Sequence, residues 1–156
     1  MPQEVERKFL LRTEGWRALI VAEDRIAQGY LGENGPVTTR VRVAGDKAWL
    51  TIKGPRLAPT TRDEFEYDIP VEEALEMLAT LASSAISKTR FTLSSKPGSW
   101  TVDVFGGPNA GLVVLEIEGS DVELLDELPE WVGDEVTADV RYSNIALSLT
   151  PFESWS

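Results

Sequence analysis

Charged residues recur at every second position in segment after segment of this chain, and that period governs what it can fold into. EVERKFL places Glu4, Glu6 and Lys8 two apart. TRVRV repeats the spacing with Arg40 and Arg42, EFEYD with Glu64, Glu66 and Asp68, KTR with Lys88 and Arg90, and LEIEG with Glu116 and Glu118. Lys53 in LTIKG and Asp103 in WTVDVF continue the pattern singly. A period of two belongs to a strand, whose successive side chains point to opposite faces. Valine, isoleucine, phenylalanine and leucine fill most of the alternate positions, so these strands have one charged and one apolar face.

The alternation predicts strands over 4–11, 25–32, 38–44, 47–54, 62–69, 86–94, 99–105 and 112–119, with a tight hairpin turn at Gly45 and Asp46. Helices are expected over 13–22, with Thr13 as cap and Trp16, Leu19 and Ile20 apolar. A second is expected over 70–82, where Pro70 precedes Leu75, Leu78 and Leu81. Shorter ones are expected over 121–128, before Pro129, and over 143–149. At 156 residues the chain reads as a single domain over 1–156, an α+β fold dominated by antiparallel strands.

Like charges at i and i+2 of a strand sit roughly 7 Å apart on one face. Any one such row alone reads as a solvated face. So many rows with segregated signs are better explained if the faces turn inward on a ligand, because like charges held close are destabilising when nothing lies between them. Acidic pairs suit a hard divalent cation, and basic pairs suit phosphate. The pattern predicts a closed antiparallel barrel with a charged lumen, its apolar outer faces clad by amphipathic helices.

Composition removes other chemistries. Cys and His are both absent, which excludes a thiolate nucleophile, a Ser-His arrangement and a zinc-thiolate site. With 26 acidic against 15 basic residues and a net charge of -11, nucleic-acid binding through the outer surface is not expected. No run is long and apolar enough to span a bilayer, and charges begin at Glu4, so a cytoplasmic protein without a signal peptide is expected. There is no Walker A, GxGxxG or HExxH motif. Trp49, Trp100 and Trp131 read as packing residues, Tyr30 as a core tyrosine with a satisfied hydroxyl, and Gly106 and Gly107 before Pro108 as a turn.

EVERKFL resembles the ExExK signature that opens the CYTH superfamily, the triphosphate tunnel metalloenzymes. The resemblance continues through QGYL at 28–31, TRVRV, LTIKG, EFEYDIP, KTR, WTVDVF, GLVVLEIEG at 111–119 and EVTADVRYSNIAL at 135–147, with no departure at a charged position. It implies an eight-stranded antiparallel tunnel and the hydrolysis or cyclisation of triphosphates with Mg2+ or Mn2+, as one ion or a pair. By position, Glu4, Glu6, Asp103, Glu116 and Glu118 resemble metal-binding residues, and Lys8, Arg40, Arg42, Lys53, Lys88 and Arg90 resemble the phosphate-gripping lining. Glu64 and Glu66 match secondary acidic positions. Catalytic roles are implied for Lys8, Tyr30, Glu6 and Glu118, with Tyr30 beside the signature lysine.

Larger relatives append a His-rich helical domain, so the chain resembles the short stand-alone bacterial members, most of which resemble inorganic triphosphatases. The expected reaction cleaves tripolyphosphate to pyrophosphate and phosphate, with activity rising into the alkaline range because the ion lowers the pKa of its water. A class IV-like adenylyl cyclase and a thiamine triphosphatase use the same tunnel and are the competing enzymatic readings. A polyphosphate- or nucleotide-binding module is the non-enzymatic one, and the paired carboxylates argue against it. The expected partner is a small polyphosphate, with no nucleic acid and no membrane, and the exposed barrel elements suggest a homodimer.

Overall fold

The computed structural model describes residues 3–32 and 35–155. Nine strands follow in order: β1 (Gln3–Leu11), β2 (Ile20–Leu31), β3 (Thr38–Ala44), β4 (Lys47–Ala58), β5 (Thr61–Ile69), β6 (Ala82–Leu93), β7 (Ser99–Phe105), β8 (Val113–Glu118) and β9 (Val132–Glu135). Helix α1 (Val71–Thr80) separates β5 from β6, and the short α2 (Asn144–Leu149) lies near the end. The strands pair antiparallel in the order β5-β4-β3-β2-β6-β7-β8-β1. One edge of β1 takes β8, and the other edge is shared. Residues 3–5 pair with 61–63 of β5 and close eight strands into a barrel, while Phe9 and Leu11 pair with β9.

The two-residue turn between β3 and β4 requires a left-handed first residue, which Gly45 supplies at φ 63°. Residues directly opposite in a ladder share a face. The registers Lys8↔Glu116, Arg90↔Asp103, Arg42↔Gln28, Arg40↔Thr51 and Thr51↔Glu66 therefore carry one set of polar side chains around the inside.

Outside, two apolar layers hold the barrel. Phe9, Leu93, Trp100, Val102, Leu115 and Ile117 are buried beneath Trp16, Val122, Trp131 and Val132. Val41 and Ala48 are buried beneath Ala74 of α1, with Val71, Met77 and Leu78 packed around them. Glu72 and Glu73 sit in the first turn of α1, where acidic side chains complement the helix dipole. Leu75 and Leu81, expected on the apolar stripe, are instead 52% and 60% exposed. The buried face of α1 carries Ala74, Met77 and Leu78 onto β3 and β4. On β2 beside them, a Cβ at Gly29 would lie 2.8 Å from Leu78 Cδ2, so a larger residue there would make that side chain shift.

Two expected helices gave way to tertiary pairing. Residues 13–22 make only a 3-10 turn at Gly15–Leu19, and Ile20 already pairs with Leu93 of β6. Burying Trp16 completely and pairing the far end of β6 outweigh local helix preference. Residues 121–128 make a 3-10 turn at Val122–Leu124, whose carbonyls are taken from outside. Arg7 Nη1 donates to the carbonyls of Val122 at 3.1 Å and Leu125 at 2.6 Å. No helix among the described residues is long and apolar enough to cross a membrane.

Inside the barrel the lining changes character along its length. At one end Ile86, Phe105, Leu112 and Val114 form a buried cluster with Leu147 of α2, and Leu10 packs against it. The remainder of the interior is polar and largely charged.

Candidate active site

The charged half encloses a cavity of about 200 Å³. Glu4, Glu6, Lys8, Tyr30, Arg40, Arg42, Lys53, Glu64, Glu66, Arg90, Glu116 and Glu118 all reach it. Seven of the eight barrel strands, all but β7, aim residues at this shared cavity through their alternation, as the strand period requires. Lys88 and Asp103 lie behind the wall. Their side chains are 0% and 1% exposed, and Lys88 Nζ meets Asp103 Oδ2 at 2.7 Å.

Asp103 is saturated by cations. Arg90 Nε donates to Oδ1 at 2.8 Å and Arg90 Nη2 to Oδ2 at 2.9 Å. Burial alone would raise this carboxyl, but Arg90 and Lys88 outweigh it and hold Asp103 well below the usual carboxylate range. Burial pulls the Lys88 ammonium down against the attraction of Asp103. Asp103 thus fixes Arg90 against the cavity wall, where Arg90 also reaches Glu116 at 3.4 Å.

Across strands the signs mostly complement each other. Glu4 opposes Arg62, Lys53 opposes Glu64 and Lys8 opposes Glu116. Lys53 Nζ bonds Glu4 Oε2 at 2.9 Å, and Arg40 Nη2 bonds Thr51 Oγ1 at 3.3 Å with Glu66 3.7 Å away. Same-sign rows along one strand are therefore interleaved with opposite rows on its neighbours, which keeps a polar lumen tolerable.

Two places break that rule, Arg56 opposite Arg62 on β4 and β5 and a carboxylate pair on β1 and β8. Glu6 faces Glu118 directly across the β1–β8 ladder, and Glu4, Glu6 and Glu118 each bring a carboxylate oxygen within 4.8 Å of the others. Glu118 is exposed at the cavity mouth, yet partial burial, together with Glu4, Glu6, Glu64 and Glu116, pushes its carboxyl up to about 7. Burial raises Glu6 as well, reinforced by Glu116 and opposed by Lys8. Glu4 is held low, because Lys53 and Arg62 overcome its burial. Its Oε1 is nevertheless buried without a hydrogen-bond partner among the described residues, as are Arg40 Nε and Arg62 Nε. Glu4 Oε1 and Arg62 Nε stand 3.6 Å apart, too far for a hydrogen bond, so together with Arg40 Nε they leave bonding capacity open around the cavity. An all-carboxylate group of this spacing fits a hard divalent cation, whereas Asp103 and Glu116 stand outside it.

Several site residues were not singled out by the charge pattern. Arg62 continues the row of Glu64 and Glu66 two positions earlier, so its alternation was visible. Gln28 shares a face with Tyr30 by the same spacing and is 1% exposed, but a neutral amide carries no charge signal. Ser143, Asn144 and Ile145 reach the cavity from the start of α2, far along the chain, and no local pattern announces them. Trp49, expected in packing, stands opposite Arg42 and Asp68 on the charged face, while Trp100 and Trp131 pack edge to face at 5.9 Å.

Residues 2–136 match the family model described as the CYTH domain. The chain is 38% identical to an inorganic triphosphatase of Acetivibrio thermocellus over 99% of both chains. It is 32% identical to an inorganic triphosphatase of Nitrosomonas europaea, covering 94% of this chain and 97% of that one. The fold superposes on the crystal structure of the inorganic triphosphatase NE1496 with a TM-score of 0.68, at 30% identity and 96% coverage of each chain. The closed barrel, the inward charged rows and these likenesses agree: the chain belongs to the CYTH family.

Proposed function

We propose that this chain hydrolyses inorganic tripolyphosphate to pyrophosphate and phosphate, aided by a divalent cation. One observation supports the reading above the rest. Three crowded carboxylates and guanidinium groups with incompletely paired nitrogens line one cavity. The lining is also mainly polar, with Ile145 its one aliphatic residue and Tyr30 its one aromatic, so little is offered to an adenosine or thiazole group.

Glu4, Glu6 and Glu118 would hold Mg2+ or Mn2+. When bound, such an ion supplies positive charge to the phosphate oxygens and acidifies water. The protein's own groups do the rest. Arg40, Arg42, Lys53 and Arg90 grip the substrate's oxygens and orient the chain of phosphates, with Lys88 buttressing the wall through Asp103. Lys8, 3.7 Å from Glu116 and 3.9 Å from Glu6, places a cation where charge develops on the leaving oxygen. Glu118, whose carboxyl its neighbours raise in the cation-free protein, would give up that proton on holding the ion and be left to accept a hydrogen bond from the attacking water. Glu64 and Glu66 steady Lys53 and Arg40. Burial raises the Tyr30 hydroxyl, which makes it a donor and not a base.

Incubating the purified protein with tripolyphosphate, ATP or thiamine triphosphate, each with Mg2+ or Mn2+, tests the reading. Phosphate release from tripolyphosphate is expected. Cyclic AMP from ATP, or tight binding with no product, would overturn it.

A further inference from the structure

Gln28 is buried and uncharged amid the cations of β2, β3 and β6. Its Oε1 accepts from Arg42 Nε at 2.9 Å, and its Nε2 donates to the Tyr30 hydroxyl at 2.9 Å and to Asn144 Oδ1 at 3.4 Å. Asn144 Oδ1 also accepts from Lys88 Nζ at 2.8 Å. The orientation of both amides is dictated by their neighbours. Arginine and lysine nitrogens only donate, so each amide must turn its oxygen toward them. The Gln28 nitrogen is then left facing Tyr30.

This has a consequence at the tyrosine. Its oxygen already accepts from Gln28, and its single O–H hydrogen meets no acceptor among the described residues. Tyr30 lines the cavity, so that hydrogen is available to an anion inside it. We propose that Gln28 is a positioning residue that turns the Tyr30 hydroxyl into a hydrogen-bond donor for a phosphate oxygen, while holding the Arg42 guanidinium beside it. The inference rests on the reading of the cavity as a tripolyphosphate site.

Gln28→Glu keeps the shape and the Arg42 contact but replaces the donor with a second acceptor. Tyr30 would then donate to residue 28 and turn away from the cavity. Gln28→Met removes both amide groups and leaves the hydroxyl hydrogen free to rotate, no longer held toward the substrate. The measurement is tripolyphosphate affinity by calorimetry, without divalent cation, for Tyr30→Phe in each background. A hydrogen bond to a charged partner is worth about tenfold or more in affinity. Tyr30→Phe is therefore expected to weaken binding about tenfold in the natural protein, about threefold in Gln28→Met and less than about twofold in Gln28→Glu. A merely structural glutamine would give the same Tyr30→Phe penalty in all three, and that result overturns the inference.

Replacing Tyr30 by 3-fluorotyrosine, a stronger donor, needs no change at position 28 and should tighten binding. Weakening would overturn the inference equally. Failure of the unaltered protein to bind tripolyphosphate at all would instead sink the functional reading on which this one rests.

Discussion

Glu6 and Glu118 face one another across β1 and β8 in the charged half of the barrel interior, while further along the same two strands Leu10 and Val114 pack around Leu147. The backbone pairing is of one kind throughout. What fills it is opposite in energetic sense. Leu147 is fully buried and its cluster gains from leaving water, as any apolar core does. The carboxylates are crowded at a cost, and the neighbouring cations only partly offset it. Stability is concentrated in one half and stored repulsion in the other, which is the distribution expected when a ligand completes the site.

The comparison can be broken in order of expected effect. Glu6→Gln should lower turnover of tripolyphosphate by roughly a hundredfold to a thousandfold, the scale for removing a group that shapes the charge of the transition state. It should not lower the melting temperature, since it removes a like-charge neighbour of Glu118. A marked loss of thermal stability would show that the two halves are not separated as described.

Leu147→Ala should cost about 2–5 kcal/mol in a urea titration by leaving a cavity in the apolar half. Turnover per folded molecule, measured well below the melting transition, should change far less than in Glu6→Gln. Arg40→Ala, which strips a buried cation from the cavity wall, should raise KM about tenfold to a hundredfold. It should affect the saturated rate less.

The smallest effect is one of pH. The Glu118 carboxyl titrates at about 7 in the folded chain against 4.5 when unperturbed, so the folded state keeps a proton that the unfolded state releases. Through Glu118 the stability of the cation-free protein should therefore fall as pH rises from about 4.5 to about 7, and above that Lys88, whose ammonium burial lowers to about 7, acts in the other sense. Glu4 and Asp103, both held low, act in the other sense, and their contribution is lost only in stronger acid. Melting curves of the natural protein and Glu118→Gln between these limits isolate the Glu118 part. Identical slopes would show that Glu118 is not under the strain described.

Much of the site was legible before any coordinates. The rows at Glu4, Glu6 and Lys8, at Arg40 and Arg42, and at Glu116 and Glu118 all meet at one cavity, because strand alternation is a local property that survives folding. The hairpin at Gly45 was equally local. The helix expected over 13–22 failed because Trp16 and the end of β6 supply long-range contacts that outweigh propensity. β9 escaped notice because four residues on a shared edge of β1 leave almost no periodic trace.

By itself, the sequence determined which side chains share a face, and hence that charged faces and apolar faces would segregate. The register was decided only by the tertiary structure. It set Glu6 against Glu118 and Lys8 against Glu116, withdrew Asp103 and Lys88 into the wall, and brought Asn144 and Leu147 from the far end of the chain into the barrel. The physical reason is range: side-chain alternation is set by each residue's own backbone, whereas partners across a sheet are chosen by the packing of the whole barrel.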